Sequence, residues 1–419
     1  MITRGQIQDG FLRIQMRAGA AISLVLAAFL IVSNLPVLPN GLRQGAMLGM
    51  IISAAALAAR AVQQISRDRV LAVSLPAFLI ITIFGLHNLT HPALTAYAEN
   101  KRILFPIVFL FCLVIFPLAI HAFDRNLKYT MLALISVSVL FALLAFVAPT
   151  GGNLRRSGIE LNPLMHAKLL FFPFFLMLAG PVRSHHRILL FAALLLSIIA
   201  CLKTGSRSPI AVAIVILLLD AILTSRIKGM MRLISYGGLL LASVVLLVDF
   251  LPREIAERFS PEEIWPQFEE GDRLFLFVFA IDMIQHNPTG IGMGNMSAHF
   301  WLAAPHNIVL EAIMDFGFML AMPYVGLLAY VTMLAFRGLR SRHTPTRFVA
   351  IWYFFFLGQS LIGGEMTFPS ILLYMPMGLL ILTRARVTAF DKKIQSSTDA
   401  EITAGILGSR SSESETRHA

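Results

Sequence analysis

One histidine has the residue type and sequence context of a group that could accept a proton from a substrate. His306 lies in the segment Ala-Ala-Pro-His-Asn-Ile-Val-Leu, immediately before a long apolar run. Histidine is the side chain whose ordinary pKa, about 6.5, allows it to take a proton from a hydroxyl group at neutral pH. The alternative is that His306 only caps the following helix at a membrane surface. The sequence therefore makes His306 a candidate general base.

Four arginines have the chemistry to bind an anion. Arg155 and Arg156 occur in Gly-Gly-Asn-Leu-Arg-Arg-Ser-Gly, Arg207 occurs in Thr-Gly-Ser-Arg-Ser, and Arg273 begins an apolar stretch. A guanidinium group presents a rigid fork of donors that suits phosphate oxygens, and a diphosphate needs more than one such group. The alternative for any one of them is anchoring to lipid head groups or pairing with a neighbouring glutamate. We expect these arginines to hold a phosphorylated substrate.

The elements that position these residues are predicted to be membrane-spanning helices. Of the 419 residues, 57% are hydrophobic and only 14% are charged, whereas soluble domains contain about 25% charged residues. Mean hydropathy is +0.76, and the apolar runs, of about 20 residues, are long enough to cross a bilayer. Because these runs are continuous and do not alternate, they favour helices over a β-barrel. The expected fold class is all-α, a polytopic helical membrane protein, and soluble folds are excluded.

Hydropathy predicts about twelve spans and one long loop outside the membrane. Residues 1–251 contain helices 1–9, residues 252–306 form the outer loop, and residues 307–383 contain helices 10–12. The loop is expected to contain short amphipathic helices, one of them over residues 273–285, which is too short to span. The Ser-, Thr- and Glu-rich tail, residues 384–419, is expected to be disordered. The predicted spans are residues 18–35, 45–61, 70–87, 103–122, 129–148, 164–181, 187–202, 208–225, 232–251, 307–336, 347–363 and 366–383.

The positions of Lys and Arg predict the orientation of the chain in the bilayer. The formal net charge is +11 and the pI is about 10.1. If the N-terminus is cytoplasmic, most Lys and Arg residues fall in cytoplasmic loops and tails, as the positive-inside rule requires. Both termini are then cytoplasmic, and His306, Arg207 and Arg273 lie on the outer side. Since membrane topology accounts for the excess charge, nucleic-acid binding is not expected.

The segment around His306 resembles a known family motif. His306-Asn307-x-x-Leu310, followed by six residues and Gly317, is similar to the H-[NS]-x-x-L-x6-G motif of the O-antigen ligase family, the polytopic glycan ligases and polymerases of bacterial envelopes. We expect Asn307 to cap the tenth span. Helical spacing would put His306, Leu310 and Gly317 on one helix face, where the bare Gly317 lets another helix approach closely.

Further resemblances to this family fall within roughly residues 150–320. They are Arg156-x-Gly158-x-x-x-Asn162-Pro163, Thr204-Gly205-Ser206-Arg207-Ser208, Asp272-Arg273 before an apolar helix, and Gly290-x-Gly292-x-Gly294-Asn295. The three glycines of the last segment suit either a phosphate-cradling loop or a flexible connection between helices. Glu311 and Asp315, in the tenth span, are costly in lipid and are expected to face the bundle interior or water, away from His306.

The resemblance implies a reaction on the periplasmic face of the bacterial inner membrane. A glycan is moved from undecaprenyl diphosphate to an acceptor hydroxyl, without a cofactor or a metal ion. The resemblance implies that His306 is the general base and that Arg207 and Arg273 are catalytic residues that hold the departing diphosphate. It also implies substrate binding by Arg155 or Arg156, which the sequence does not distinguish, and by Asn307.

Several functions share these features. A ligase transfers the finished polysaccharide to a lipid A-core acceptor, whereas an O-antigen or exopolysaccharide polymerase transfers it to another lipid-linked repeat. A protein-glycosylating relative is a third alternative. A secondary transporter, of a different class, would have ionisable residues near the middle of the membrane and symmetric broken helices. The charged residues instead cluster at the outer ends of the predicted spans, which disfavours a transporter. The ligase and the polymerase differ only in the acceptor pocket, and of these two we favour the ligase.

Overall fold

The computed structural model describes most of the predicted membrane-spanning part of the chain. The described residues are 4–34, 40–124, 127–147, 167–180, 184–224, 226–247, 250, 256, 272–300, 304–363, 366, 370 and 372–383. Arg155 and Arg156 lie outside them, as do the predicted disordered tail and residues 257–271 of the predicted loop. Asp272 and Arg273 are described by their backbone alone.

The described part of the chain consists mainly of helices and contains no strand. The first seven helices are α1 Arg4–Asn34, α2 Asn40–Val62, α3 Arg67–Thr90, α4 Ala96–Phe123, α5 Lys128–Val147, α6 Phe172–Ala179 and α7 Ser184–Lys203. The next seven are α8 Ser208–Leu223, α9 Gly229–Leu247, α10 Asp272–His286, α11 Met296–His299, α12 Ile308–Arg340, α13 Thr344–Gly363 and α14 Leu372–Thr383. The predicted all-α class is confirmed.

Six of these helices are long and apolar enough to cross a membrane. They are residues 45–62 of α2 together with α3, α4, residues 128–146 of α5, α9 and α12. The chain is therefore a multi-pass membrane protein by length and composition. Each of the predicted ranges also contains a helix, but several are short: α8, with 16 residues, measures about 24 Å at 1.5 Å per residue. The count of about twelve spans stays a prediction.

The helix α10 matches the sequence prediction for the outer loop. It begins at Asp272 and ends at His286, directly before Asn287-Pro288, and fifteen residues are too few to span a bilayer. Its buried face consists of Leu276 and Ala280, which pack with Met296 of α11 and Met314 of α12. The loop is therefore attached to the bundle through the first half of α12.

The centre of the bundle is formed by α12 and α13. The side chains of Trp352, Tyr353 and Phe355 in α13 are fully buried, and Trp352 packs edge-on against Phe172 of α6 with ring centroids 5.5 Å apart. By contrast, only 11% of the apolar window in α9 is buried within the bundle. Because lipid is as apolar as these side chains, packing between helices and not exclusion of water holds such a bundle together.

A buried ion pair joins three helices at the end of the bundle predicted to be cytoplasmic. Asp220 of α8 is 1% exposed and accepts a hydrogen bond from Arg347 of α13. Its second oxygen lies 3.0 Å from the guanidinium of Arg232, and Thr224 donates to Asp220 at 3.0 Å. A charge that is paired and hydrogen-bonded in this way is retained inside a protein, whereas loss of one partner leaves an uncompensated charge.

Candidate functional site

The helix α12 is broken at Gly317, close to its periplasmic end in the predicted topology. Gly317 has φ 75° and ψ 164°, a conformation that is not helical. A methyl group at this position would lie 2.5 Å from the carbonyl oxygen of Pro288 and 2.5 Å from the carbonyl carbon of Thr289. The prediction that Gly317 lets another helix approach is therefore wrong, because the loop after α10 fills that space.

Three glycines shape this loop, each with a positive φ: Gly290 at 92°, Gly292 at 87° and Gly294 at 77°. The break in α12 leaves the carbonyls of Met314 and Asp315 without helical partners, and the loop amides of Ile291 and Gly292 donate to them at 3.0 and 2.8 Å. These glycines are required where the two backbones approach closely. The loop is thus a packed connection whose amides donate to carbonyls of α12. It is neither of the two alternatives that the sequence offered, a phosphate-cradling loop or a flexible connection.

A cluster of buried charges lies beneath the loop. Glu311 and Asp315 are both 0% exposed, which confirms that they face the bundle interior. Lys101 of α4 pairs with Glu311 and lies 3.5 Å from Asp315, while Asp315 also accepts from the Gly294 amide at 3.2 Å. Glu311 accepts from the Met366 amide at 2.8 Å. The cluster therefore joins α4, the loop, α12 and the start of the segment that leads to α14.

Sequence reasoning did not identify Lys101 as part of this cluster. The signal that could have found it is the presence of two carboxylates in the tenth span, since intramembrane acids are nearly always paired. The neighbouring Arg102 donates to the carbonyls of Met293, at 3.3 Å, and Pro92, at 3.2 Å. His87 of α3 contacts the Thr289 carbonyl at 2.9 Å. The periplasmic ends of α3 and α4 thus hold the glycine loop in place.

His306 lies just outside α12, and its backbone is in an uncommon conformation. Its φ is 56°, in the left-handed region that few residues other than glycine adopt. The sequence placed His306, Leu310 and Gly317 on one helix face. That prediction is wrong on two counts, because His306 precedes the helix and Gly317 interrupts it. The His306 side chain is half-buried, and its position is set by the turn that leads into α12.

Asn307 caps α12, as predicted. Its side-chain oxygen accepts from the amides of Val309 and Leu310 at 3.0 and 3.1 Å, and these amides have no partner within the helix. The Asn307 side-chain nitrogen donates to the Leu361 carbonyl near the end of α13, at 3.0 Å. Both arms of the amide are therefore engaged with the protein. A role for Asn307 in substrate binding stays a prediction.

Arg207 occupies the residue before α8 and is half-buried. The chain reaches it through Gly205, whose φ of 66° ends α7 in the left-handed conformation typical of a helix C-terminus. The next residue, Ser208, donates from its hydroxyl to the Gln359 side-chain oxygen of α13 at 3.1 Å. The local sequence Thr-Gly-Ser-Arg-Ser thus connects α7 to α8 by a short turn and leaves Arg207 at that turn.

The last two turns of α13 bring the candidate residues together. Ser208, beside Arg207, binds Gln359, and Asn307, beside His306, binds Leu361 only two residues further along. Lys168, which is 2% exposed, donates from its side-chain nitrogen to the Gly363 carbonyl at 3.5 Å. His306 and Arg207 therefore lie at the same end of the bundle, around one helix terminus. For Arg273 the structure describes only the backbone position, at the start of α10.

The fold and this arrangement define a class: a multi-pass helical membrane protein with basic and histidine side chains gathered at one end of the bundle. Residues 192–325 match the family model described as O-Antigen ligase. The matched segment contains Arg207, Arg273, the glycine loop, His306 and the break in α12. The resemblance to the O-antigen ligase family is confirmed over this segment. No curated protein matches the chain.

Proposed function

We propose that the protein is a membrane glycosyltransferase that moves a polysaccharide from undecaprenyl diphosphate to a hydroxyl of the lipid A-core, on the periplasmic face of the bacterial inner membrane. The observation that carries this proposal is the position of His306 and Arg207. Both lie in the segment that matches the O-antigen ligase family, and both lie beside residues bound to the same end of α13. One reacting centre can therefore be held between them.

In the proposed reaction, His306 acts on the acceptor. A ring nitrogen takes the proton of the acceptor hydroxyl as its oxygen attacks the anomeric carbon of the glycan. The bond between that carbon and the phosphate oxygen breaks, and its electron pair leaves with undecaprenyl diphosphate. Because attack and departure occur on opposite faces, the anomeric configuration is inverted. The protonated His306 then releases its proton to water.

The arginines act on the leaving group in this mechanism. Arg207 and Arg273, with Arg155 or Arg156, bind the diphosphate and neutralise the charge that grows on it as the bond breaks. A guanidinium is always protonated and can contact two phosphate oxygens at once. Several arginines therefore supply the stabilisation that a divalent cation supplies elsewhere, and the proposed reaction needs no metal ion.

The buried charges favour this function over transport. A transporter would expose ionisable residues to a pathway near the middle of the membrane. Here Lys101, Glu311 and Asp315 pair with one another, and the loop of residues 287–295 covers them. Among the described helices, α12 alone has an internal residue with non-helical backbone angles, so the matching broken helix of a symmetric repeat is not found there. The cluster instead anchors the segment that carries His306.

The test is a gel of envelope lipopolysaccharide, with the pool of undecaprenyl-linked glycan measured in parallel. A deletion strain is complemented with the intact gene, with His306→Ala or with Arg207→Lys. The intact gene should restore long polysaccharide on the lipid A-core. His306→Ala should leave the core bare while polymer accumulates on the carrier. Arg207→Lys should largely have the same effect, because an ammonium group does not bind two phosphate oxygens in the fixed geometry of a guanidinium.

Membrane levels of each variant provide the control. Normal transfer by His306→Ala at wild-type levels would overturn the assignment of the base. A deletion strain whose core carries single repeats would identify an O-antigen polymerase instead of a ligase. Unchanged lipopolysaccharide in the deletion strain would exclude both and leave an exopolysaccharide polymerase as the family function to test.

A further inference from the structure

Two buried polar atoms beside Arg207 have no hydrogen-bond partner within the described part of the chain. They are the side-chain nitrogen of Gln359, Nε2, and the hydroxyl oxygen of Ser206, Oγ. Gln359 is 1% exposed and Ser206 is 7% exposed. A buried polar group that makes no hydrogen bond destabilises the fold, and such groups in native proteins usually have a structural or functional reason.

Both atoms lie at the N-terminus of α8. The Gln359 side-chain oxygen accepts from Ser208 at 3.1 Å, so the nitrogen of the same amide lies near this helix end as well. Ser206 precedes the helix by two residues. The residue at the cap position is Arg207, whose side chain makes no cap hydrogen bond, and Pro209 follows at the start of the helix. The N-terminus of a helix carries a positive partial charge, which favours an anion at this position.

We propose that Gln359 Nε2 and Ser206 Oγ form, with the N-terminus of α8, a subsite for a phosphate oxygen of the lipid-linked donor. Arg207 binds the same diphosphate from the adjacent position. This inference rests on the proposed function and adds to it a binding residue, Gln359, that lies outside the segment matched by the family model. The ligand chemistry is that of a diphosphate ester.

Neutral donors suit this position in the reaction. They add hydrogen bonds to the phosphate without further positive charge, so the diphosphate is oriented and is still released after transfer. A hydrogen bond to a charged group is worth about 1.5–3 kcal/mol, which corresponds to roughly 10- to 150-fold in affinity. Removal of Gln359 Nε2 should therefore weaken donor binding by at least about tenfold.

The experiment measures binding of farnesyl diphosphate, a short-chain probe, to the purified full-length protein in detergent micelles. The variants are Gln359→Met, which has a similar volume and no donor, and Ser206→Ala. The matched control is Ser197→Ala. It removes another buried hydroxyl that has no partner within the described residues, and Ser197 lies six residues before the end of α7. Competition with inorganic pyrophosphate and with farnesol separates recognition of the diphosphate from recognition of the lipid.

We expect Gln359→Met to raise the dissociation constant at least tenfold. Its melting temperature combines two opposed changes, because the variant loses an unpaired polar nitrogen and also the oxygen that accepts from Ser208. Ser197→Ala should raise the melting temperature alone. Unchanged affinity in Gln359→Met, or competition by farnesol and not by pyrophosphate, would overturn the subsite, as would absence of binding to the wild-type protein. If binding depends on Gln359 but the lipopolysaccharide test fails, the subsite stands and the proposed transferase function does not.

Discussion

At the scale of single residues, the backbone of His306 is the clearest link between conformation and function. Among the described residues other than glycine, only Leu127 and His306 have a positive φ. A residue held in this region costs about 1–3 kcal/mol, and such strain is found where the surrounding structure fixes a side chain for a function. Here the Asn307 cap and its bond to Leu361 fix the turn, so His306 is held at the entrance of α12.

This conformation predicts that two His306 variants without activity differ in stability. His306→Gly and His306→Ala both remove the imidazole, and both should abolish glycan transfer. Glycine adopts positive φ without a steric penalty, whereas alanine does not. The glycine variant should therefore be more stable than the alanine variant, by about 1 kcal/mol.

Thermal unfolding in detergent, beside the lipopolysaccharide gel, measures both effects. Because the two variants lose the same side chain, every interaction of the imidazole cancels in the comparison. Equal stability of the two variants would show that the turn changes conformation without cost, and it would contradict the inference that the His306 backbone is strained. Retained transfer in either variant would remove His306 from the mechanism.

At the scale of elements, the break in α12 divides the helix into two parts. Residues 308–316 follow the Asn307 cap and carry Glu311 and Asp315, and the longer part continues from Gly317 to Arg340. The glycine loop fills the break, and its amides replace the missing helical hydrogen bonds. The short first part is therefore positioned by tertiary contacts with α4 and the loop, not only by continuity with the longer part.

Gly317→Ala should destabilise the protein and lower transfer. A methyl group there would meet Pro288 and Thr289 backbone atoms at 2.5 Å in a backbone conformation unfavourable to alanine, so a loss of about 2 kcal/mol or more is expected. Gly326→Ala in the same helix is the matched control, because nothing lies within 4 Å of its added methyl group. That change should be neutral or stabilising by up to about 1 kcal/mol.

The measurement is the thermal unfolding midpoint of each alanine variant in the same detergent. If the Gly317→Ala protein were as stable as the Gly326→Ala protein, the loop would move aside without cost. Packing of the loop against α12 would then not position His306.

The Lys101 cluster holds the same element from the other side. Lys101→Met leaves Glu311 and Asp315 buried without their lysine and should cost about 3–5 kcal/mol. Lys101→Met combined with Glu311→Gln should cost less than the sum of the single changes, because the glutamine is neutral and still accepts from Met366. A double-mutant cycle by thermal unfolding measures the coupling. Strict additivity would show that the pair contributes no interaction to the fold.

At the scale of the whole molecule, charged clusters mark the two ends of the bundle. Lys101 and Arg102 with their partners lie at the end that holds His306, and Asp220 with Arg232 and Arg347 lies at the predicted cytoplasmic end. In the predicted topology most of the Lys and Arg residues lie at that second end. We infer that His306 faces the periplasm and that both termini are cytoplasmic.

Reporter fusions test this orientation. An alkaline phosphatase fusion near Glu263 should be active, since that enzyme works only in the periplasm, and fusions at Arg342 and near the C-terminus should be inactive. A fluorescent-protein fusion at each site should give the reverse pattern. Cytoplasmic signals near Glu263 would invert the topology and would exclude a periplasmic reaction at His306.

The sequence by itself determined the features that depend on local physics. Continuous apolar runs predicted helices, because each backbone group must be satisfied within its own segment in lipid. The apolar stretch 273–285 predicted the short helix α10, which spans Asp272–His286. Asn307 was predicted as a cap because an asparagine side chain at this position accepts from amides two and three residues away, and the structure shows both bonds. The motif around His306 and Arg207 led to the family that residues 192–325 match.

Tertiary structure alone decided the features that depend on distant partners. Lys101 pairs with Glu311, 210 residues away in the sequence, and Asn307 binds Leu361, 54 residues away. The backbone conformation of Gly317 depends on contacts with the glycine loop, which helical periodicity does not predict. Gln359 lies in an apolar helix and outside every motif, and only its position beside Ser208 connects it to Arg207. Local spacing fixes helices and caps, whereas the charge balance and geometry of a buried site depend on which helices pack together.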